Sequence, residues 1–342
     1  MVYFRGGPAW SGVWVAFAPS SGRGQSAQTA RIKIKARMKC RIKLSPVYNG
    51  FFDDKSPESS CVAVNYTRQR MILAMREMST STDLAYRQRT FRIDEVDAMA
   101  EAIHEDGFAL IPGVLSAEEI AAAREKIDEL KPFGFDSQGK TDHYKCVFNR
   151  DPFWLEYLDK PGVVDLAEAT MGSECHIIGQ TAWRSHPGHD GWMPHTDRVF
   201  IEVPEEVAPK IRLPVYLCTA HYYLSDITED LCPTYVIPGS HKSGRALDWG
   251  KVPDPVWDGK KLEPVICKAG DVLFFRSEIW HTGSLNATAD QTRYLLQVHY
   301  SHRFIAQQFS PYISWQFNPD VLAVANPRQL RLLGDHRQGA YD

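Results

Sequence analysis

The sequence has no Cys-x-x-Cys pair, no internal repeat, no apolar run approaching the length of a bilayer span, and no acidic residue before Asp53. Its seven cysteines (40, 61, 146, 175, 218, 232, 267) are odd in number and scattered, which excludes a disulfide framework or a zinc ribbon and leaves reduced core residues. Crossing a bilayer takes about 20 consecutive apolar residues, so no membrane span is expected. The N-terminus lacks the ordered charged, apolar and small-residue regions of a secretory signal, so an intracellular, cytoplasmic protein is expected. Residues 1–52 carry nine Lys/Arg, leaving 30 basic against 42 acidic residues in 53–342, a net of −12. Affinity for phosphate backbones comes largely from Lys and Arg, so nucleic acid is not an expected partner.

What is present is a chain of 342 residues, 44% of them apolar, long enough to bury a substantial core. The first 85 residues differ in texture from the rest. RIKIKARMKCRIK (31–43) places a basic residue at every odd position, which suits an amphipathic strand. The acid-free stretch 1–52 also has the look of an organellar presequence, the alternative to a cytoplasmic location. Residues 1–85 are read as a poorly ordered or accessory N-terminal extension, and 86–342 as one domain.

Regular structure is predicted from near Phe91. Val96, Met99, Ala100 and Ile103 mark one helix face, Gly107 ends that helix, and FALIPGV reads as a short strand. Ser116 followed by Glu119 reads as a capping box for a second helix. After about residue 175 come short β-rich runs between Gly, Pro and Asn: ECHIIGQTAW, RVFIEV, LPVYLCTAHYYL, TYVIPGS, DVLFFRSEIWH and RYLLQVHYSHR. That pattern predicts a mainly β domain, an antiparallel sandwich or barrel with helices in front.

Two His-x-Asp triplets occur, His104-Glu105-Asp106 and His195-Thr196-Asp197. A chain with 12 His and 24 Asp supplies roughly one by chance, so neither triplet is a site on its own. His104 and Asp106 fall at a helix end, where positions i and i+2 diverge, and read as a solvated terminus. On a strand, i and i+2 share a face, so His195 and Asp197 can converge on one ion. His281, read as ending the apolar strand DVLFFRSEIW, offers a third ligand. Two His and one carboxylate leave positions of a metal open, as in non-haem Fe(II) oxygenases, whereas a structural zinc would be closed by a fourth ligand. Arg293, opening the strand RYLLQVHY that is expected to return beside His281, suits bidentate carboxylate binding. HPGHD (186–190) lies on a Pro/Gly loop that gives its side chains no common face, and reads as a substrate-facing lid rather than a metal site. His241 reads as organising a turn.

The ordered set HEDGFALIPGVLSAEEI, HTD, YYLSDITEDLCPTYVIPGSHKSG, AGDVLFFRSEIWHTGSLN and the arginine beyond it resembles the phytanoyl-CoA dioxygenase-like family of Fe(II)/2-oxoglutarate oxygenases, over about residues 91–303. The resemblance implies a double-stranded β-helix, a cupin-like jelly roll, flanked by N-terminal helices. It implies Fe(II) on His195, Asp197 and His281, 2-oxoglutarate on Arg293 with Lys145, Thr181 and His221 as further contacts, and O2 as the oxidant. Many relatives have Trp where this chain has His221. The hydroxyl residue usual two positions after the distal histidine is Gly283 here, for which Thr282 or Ser284 could substitute. Trp192 and Arg198, flanking the HTD motif, are the first candidates for substrate contacts.

The expected reaction is oxidation, by default hydroxylation, of an unactivated C–H bond of a small molecule, with release of succinate and CO2. Asp197 argues against a halogenase of the related type, in which a small residue replaces the carboxylate. An acyl-CoA substrate carries several phosphates and favours a basic rim, whereas the body has net charge −12; a small metabolite or natural-product intermediate is the expectation and an acyl-CoA the alternative. A non-oxidative cupin-like metalloenzyme, which has no need of Arg293, and a catalytically silent binding protein are the readings from other classes. The oligomeric state stays open, a homodimer being compatible.

Overall fold

The structure, a computed structural model, describes residues 89–131, 137–138, 140–248, 250–309 and 315–338. The extension read over 1–85, with its basic alternation, lies outside them. Helix α1 (Val96–Glu105) buries Met99, Ala102 and Ile103, one side of its apolar stripe. It stops at Gly107, whose φ of +90° suits glycine, and a Cβ there would lie 2.8 Å from His241 Nδ1. Helix α2 (Ala117–Glu129) starts with the expected capping box: the Glu119 amide donates to Ser116 Oγ at 3.2 Å, and the Ser116 amide donates to the Glu119 carboxylate at 2.8 Å. Among the described residues no helix is long and apolar enough to cross a membrane.

Between the two helices runs β1 (Phe108–Ile111), and after them β2 (Ser137–Gln138), β3 (Thr141–Lys145), helix α3 (Val163–Met171), β4 (His176–Ser185), β5 (Leu217–Tyr223), β6 (Thr234–Val236), β7 (Glu263–Val265), β8 (Val272–Arg276), β9 (His281–Gly283) and β10 (Arg293–Ser301). Two short helices, α4 (Pro319–Val324) and α5 (Pro327–Leu333), follow. The strands form a seven-stranded antiparallel sheet in the order β1-β8-β5-β10-β4-β3-β2, and a three-stranded sheet, β7-β6-β9. This is the expected jelly roll.

Strand alternation puts two of the three hydrophobic clusters on opposite faces of the large sheet. Ala220 and Tyr222 of β5, Phe274 of β8, and Leu296 and Val298 of β10 pack with Met99 of α1 and Leu166 of α3 on the outer face of the large sheet. Their neighbours Tyr223, Leu273, Phe275 and Leu295 join Val236 and Val265 of the small sheet in a second cluster between the sheets. Each fully buried Val, Leu, Phe or Met among them contributes about 1.5–3 kcal/mol.

The structure corrects three sequence expectations and adds helices after the sheets. RVFIEV is not a strand: Ile201 is 59% exposed, and the Val203 amide donates to the Gly244 carbonyl in a loop before Pro204. DVLFFRSEIWH is two strands, because a turn at 277–280 carries the chain from the large sheet to the small one, so His281 opens a strand instead of ending one. β10 does not return beside β9; it pairs with β4 and β5 in the opposite sheet. Helices also follow the sheets: Arg328 of α5 ion-pairs with Asp165 and Glu168 of α3 at 2.6 and 2.7 Å.

Candidate active site

The short segment 194–198 lies against β9 and carries two of the three candidate metal ligands, His195 and Asp197. His195 and His281 form a mutual antiparallel bridge, each amide donating to the other's carbonyl at 2.9 Å, and the Asp197 amide donates to Ser277 in the inter-sheet turn. His195, Asp197 and His281 thereby form the group among the described residues that could hold a metal ion, with ligand atoms within 4.8 Å of one another. His195 Nε2 and His281 Nε2 stand 3.8 and 3.7 Å from Asp197 Oδ1. Two ligand atoms about 2.1 Å from one ion can be up to roughly 4.2 Å apart, so both of these separations fit a single metal.

The backbone also selects the tautomers. His195 Nδ1 donates to the Met193 carbonyl at 2.8 Å and His281 Nδ1 donates to the Ile279 carbonyl at 3.0 Å. A neutral imidazole has one N–H, so in both rings Nε2 is left as the ligating nitrogen. Burial, reinforced by the neighbouring His281 ring, pushes His195 down to about 4, which keeps it neutral near pH 7. Asp197 is the most open of the three, its side chain 36% exposed.

The turn that joins the sheets is held from below by a buried ion pair, Arg276 Nε to Glu278 at 3.1 Å, with Arg276 Nη2 donating to the Pro214 carbonyl at 2.8 Å. Its Ser277 hydroxyl donates to the Arg198 carbonyl at 2.9 Å, so one turn positions both Asp197 and His281.

Across from these residues, on the interior face of the large sheet, Arg293 is buried with its guanidinium over the Tyr223 ring at 5.5 Å. Among the described residues it makes no ion pair, and its Nε has no hydrogen-bond partner. A buried cation of this kind fits a carboxylate ligand. In the register of the large sheet, Lys145 of β3 faces Thr181 of β4, Thr181 faces Gln297 of β10, and Gln297 faces His221 of β5. Lys145, Thr181 and His221 therefore share one row, and Lys145 ends a strand. His221 is buried, and burial, then the nearby Arg293, His281 and His299, holds it well below the usual imidazole range.

Other named residues fall elsewhere. Thr282 and Ser284 direct their hydroxyls to the carbonyls of Trp192 and Pro233, at 2.6 and 3.0 Å, and so brace loops. Trp192 is 41% exposed, and its Cδ1 would lie 3.2 Å from a Cβ at Gly283, so the indole takes the space a side chain would need there. Arg198 is exposed. In HPGHD, His186 bonds Asp142 at 2.8 Å and His189 bonds Thr141 at 2.7 Å, which fastens this loop to β3. His104 and Asp106 form no metal group: Asp106 pairs with Arg89 at 2.6 Å, and the His104 carbonyl accepts from His241, which organises the turn after Gly239. The sequence reading missed Gln297, although the alternation Arg293, Leu295, Gln297, His299 puts it on the interior face.

Comparison with known proteins identifies the family and supports the fold. The profile of the phytanoyl-CoA dioxygenase (PhyH) family matches residues 103–294, more than half of the chain. Dioxygenase af480 of Aspergillus fumigatus is 28% identical over 254 residues, covering 69% of this chain and 74% of its own. An uncharacterised protein of Mycobacterium tuberculosis is 22% identical over 225 residues, covering 62% and 78%. Among solved structures, HygX of Streptomyces hygroscopicus, determined with nickel, 2-oxoglutarate and hygromycin B bound, superposes with a TM-score of 0.51 at 16% identity, over 65% of this chain and 98% of its own, a likeness of fold. The chain belongs to the phytanoyl-CoA dioxygenase family of Fe(II)- and 2-oxoglutarate-dependent dioxygenases.

Proposed function

We propose that His195, Asp197 and His281 hold Fe(II), that Arg293 takes the distal carboxylate of 2-oxoglutarate, and that the enzyme oxidises an unactivated C–H bond of a small metabolite or natural-product intermediate, hydroxylation being the default outcome. The observation that carries this reading is the convergence of two imidazole Nε2 atoms and one carboxylate opposite a buried arginine that makes no ion pair among the described residues. When bound, iron and cosubstrate supply the oxidising power, with 2-oxoglutarate leaving as succinate and CO2. The protein's own residues keep both imidazoles in the ligating tautomer, neutralise the cosubstrate's charge and exclude water at the Arg293 end of the pocket. We assign Lys145, Thr181 and His221, which share one row of the large sheet, to the cosubstrate, and the exposed Trp192 and Arg198 to the substrate. The acidic body favours a small substrate over an acyl-CoA.

Anaerobic addition of Fe(II) and 2-oxoglutarate tests the reading through the weak visible metal-to-ligand charge-transfer band. The wild-type protein is expected to develop the band, and its absence sinks the proposal. Asp197→Ala should abolish it. Arg293→Ala should keep metal binding while weakening 2-oxoglutarate by about tenfold or more, the scale of one lost charge-assisted hydrogen bond. Undiminished cosubstrate affinity in that variant would refute the anchor assignment.

A further inference from the structure

Gln297 lies at the middle of the interior row and makes three hydrogen bonds, each of which restricts the next. Trp183 Nε1 meets its side-chain oxygen at 2.6 Å, and Thr181 Oγ1 meets the same atom at 2.8 Å. An indole N–H can only donate, so the atom it meets must be the amide oxygen, and the orientation of the Gln297 amide follows from chemistry. Its NH2 group then faces His221 Nε2, 2.6 Å away. The NH2 group can only donate, so His221 Nε2 must accept. A neutral ring that accepts at Nε2 carries its proton on Nδ1. Nδ1 of His221 is buried and has no hydrogen-bond partner among the described residues, as is true of Arg293 Nε.

We infer that Gln297 is a positioning residue that fixes His221 as the Nδ1–H tautomer, so that His221 serves, with Arg293, as a hydrogen-bond donor to the bound 2-oxoglutarate. The inference rests on the proposed cosubstrate site and adds to it a residue and a proton location. A buried donor left without an acceptor is costly, and an acceptor-rich dicarboxylate is the chemical class that two such donors in one pocket accommodate. With its NH2 replaced by an apolar group, Gln297 no longer selects the tautomer, and the His221 proton is free to sit on Nε2, where it cannot serve the same acceptor.

Two measurements test this. The first is 15N NMR of full-length, metal-free protein labelled at its histidines. One ring protonated at Nδ1 should vanish in His221→Phe and shift toward the other tautomer in Gln297→Leu; a wild-type His221 protonated at Nε2 overturns the inference. The second is calorimetric titration of 2-oxoglutarate into Ni(II)-loaded protein. Gln297→Leu should weaken binding about tenfold, leave Ni(II) affinity unchanged, and have no further effect when added to His221→Phe. Equal losses in both backgrounds would show Gln297 acting independently of His221 and overturn its positioning role. If the Ni(II)-loaded wild-type protein takes up no 2-oxoglutarate, the proposed function fails and the donor role with it, a result separate from a wrong tautomer.

Discussion

Gly283 stands two residues beyond His281 on the same face of β9, with Trp192 Cδ1 3.2 Å from where its Cβ would be. A side chain there is disfavoured by a close approach rather than by backbone conformation, since the indole would have to move aside. Gly283→Val should cost about 1–3 kcal/mol, the usual cost of overpacking, and clearly less in a Trp192→Ala background. Thermal denaturation of the two single variants and the double checks this, and equal costs in both backgrounds would refute the contact. A second residue-scale prediction concerns acid. His143 stacks on Trp183 with ring centroids 3.6 Å apart, and burial, with Lys145 and His299 adding to it, pushes its pKa down to about 3. Above roughly pH 6.5 neither the folded nor the unfolded state protonates this ring. Between there and about 3 the unfolded chain takes up a proton that the folded protein refuses, so stability falls with pH by up to about 1.4 kcal/mol per unit. His143→Phe, which keeps the stacking, should flatten the decline of Tm between pH 6.5 and 5 relative to wild type.

Among the elements, the inter-sheet turn has the greatest consequence for the site. Arg276 is 1% exposed and pairs with Glu278 beneath the turn that aims Asp197 and His281. Arg276→Leu leaves the Glu278 carboxylate buried without its cation, and should cost about 3–5 kcal/mol in denaturant unfolding. Arg276→Leu/Glu278→Leu should recover much of that loss. The turn was not legible in DVLFFRSEIWH, because an unbroken apolar run is compatible with one buried strand or with two strands in different sheets. RVFIEV misled for the converse reason: it alternates as a strand does, but among the described residues no strand lies beside it to accept its backbone hydrogen bonds. α2 was legible down to its capping box, which is made of contacts within four residues. Gln297 was legible as an interior-facing position, whereas its partners depend on the register of β4, β10 and β5.

For the whole molecule, the described sheets and helices run from Val96 to Leu333, and the candidate site lies among them. A chain starting at Asp83 should therefore retain 2-oxoglutarate turnover, measured as metal-dependent succinate release; loss of turnover in a folded truncation would give residues 1–82 a role in the reaction. The sequence by itself determined the types and order of the proposed ligands, His195 and Asp197, then His281, then Arg293. It also determined the succession of short strands that makes a jelly roll, because side-chain chemistry and strand parity are local properties. Only the tertiary structure decided that His281 opens a strand bridged to His195, that Arg293 faces it from the opposite sheet, and that Lys145, Thr181, Gln297 and His221 form one row. Those relations depend on which strands pair and in what register, and that is settled by burial between residues far apart in the chain.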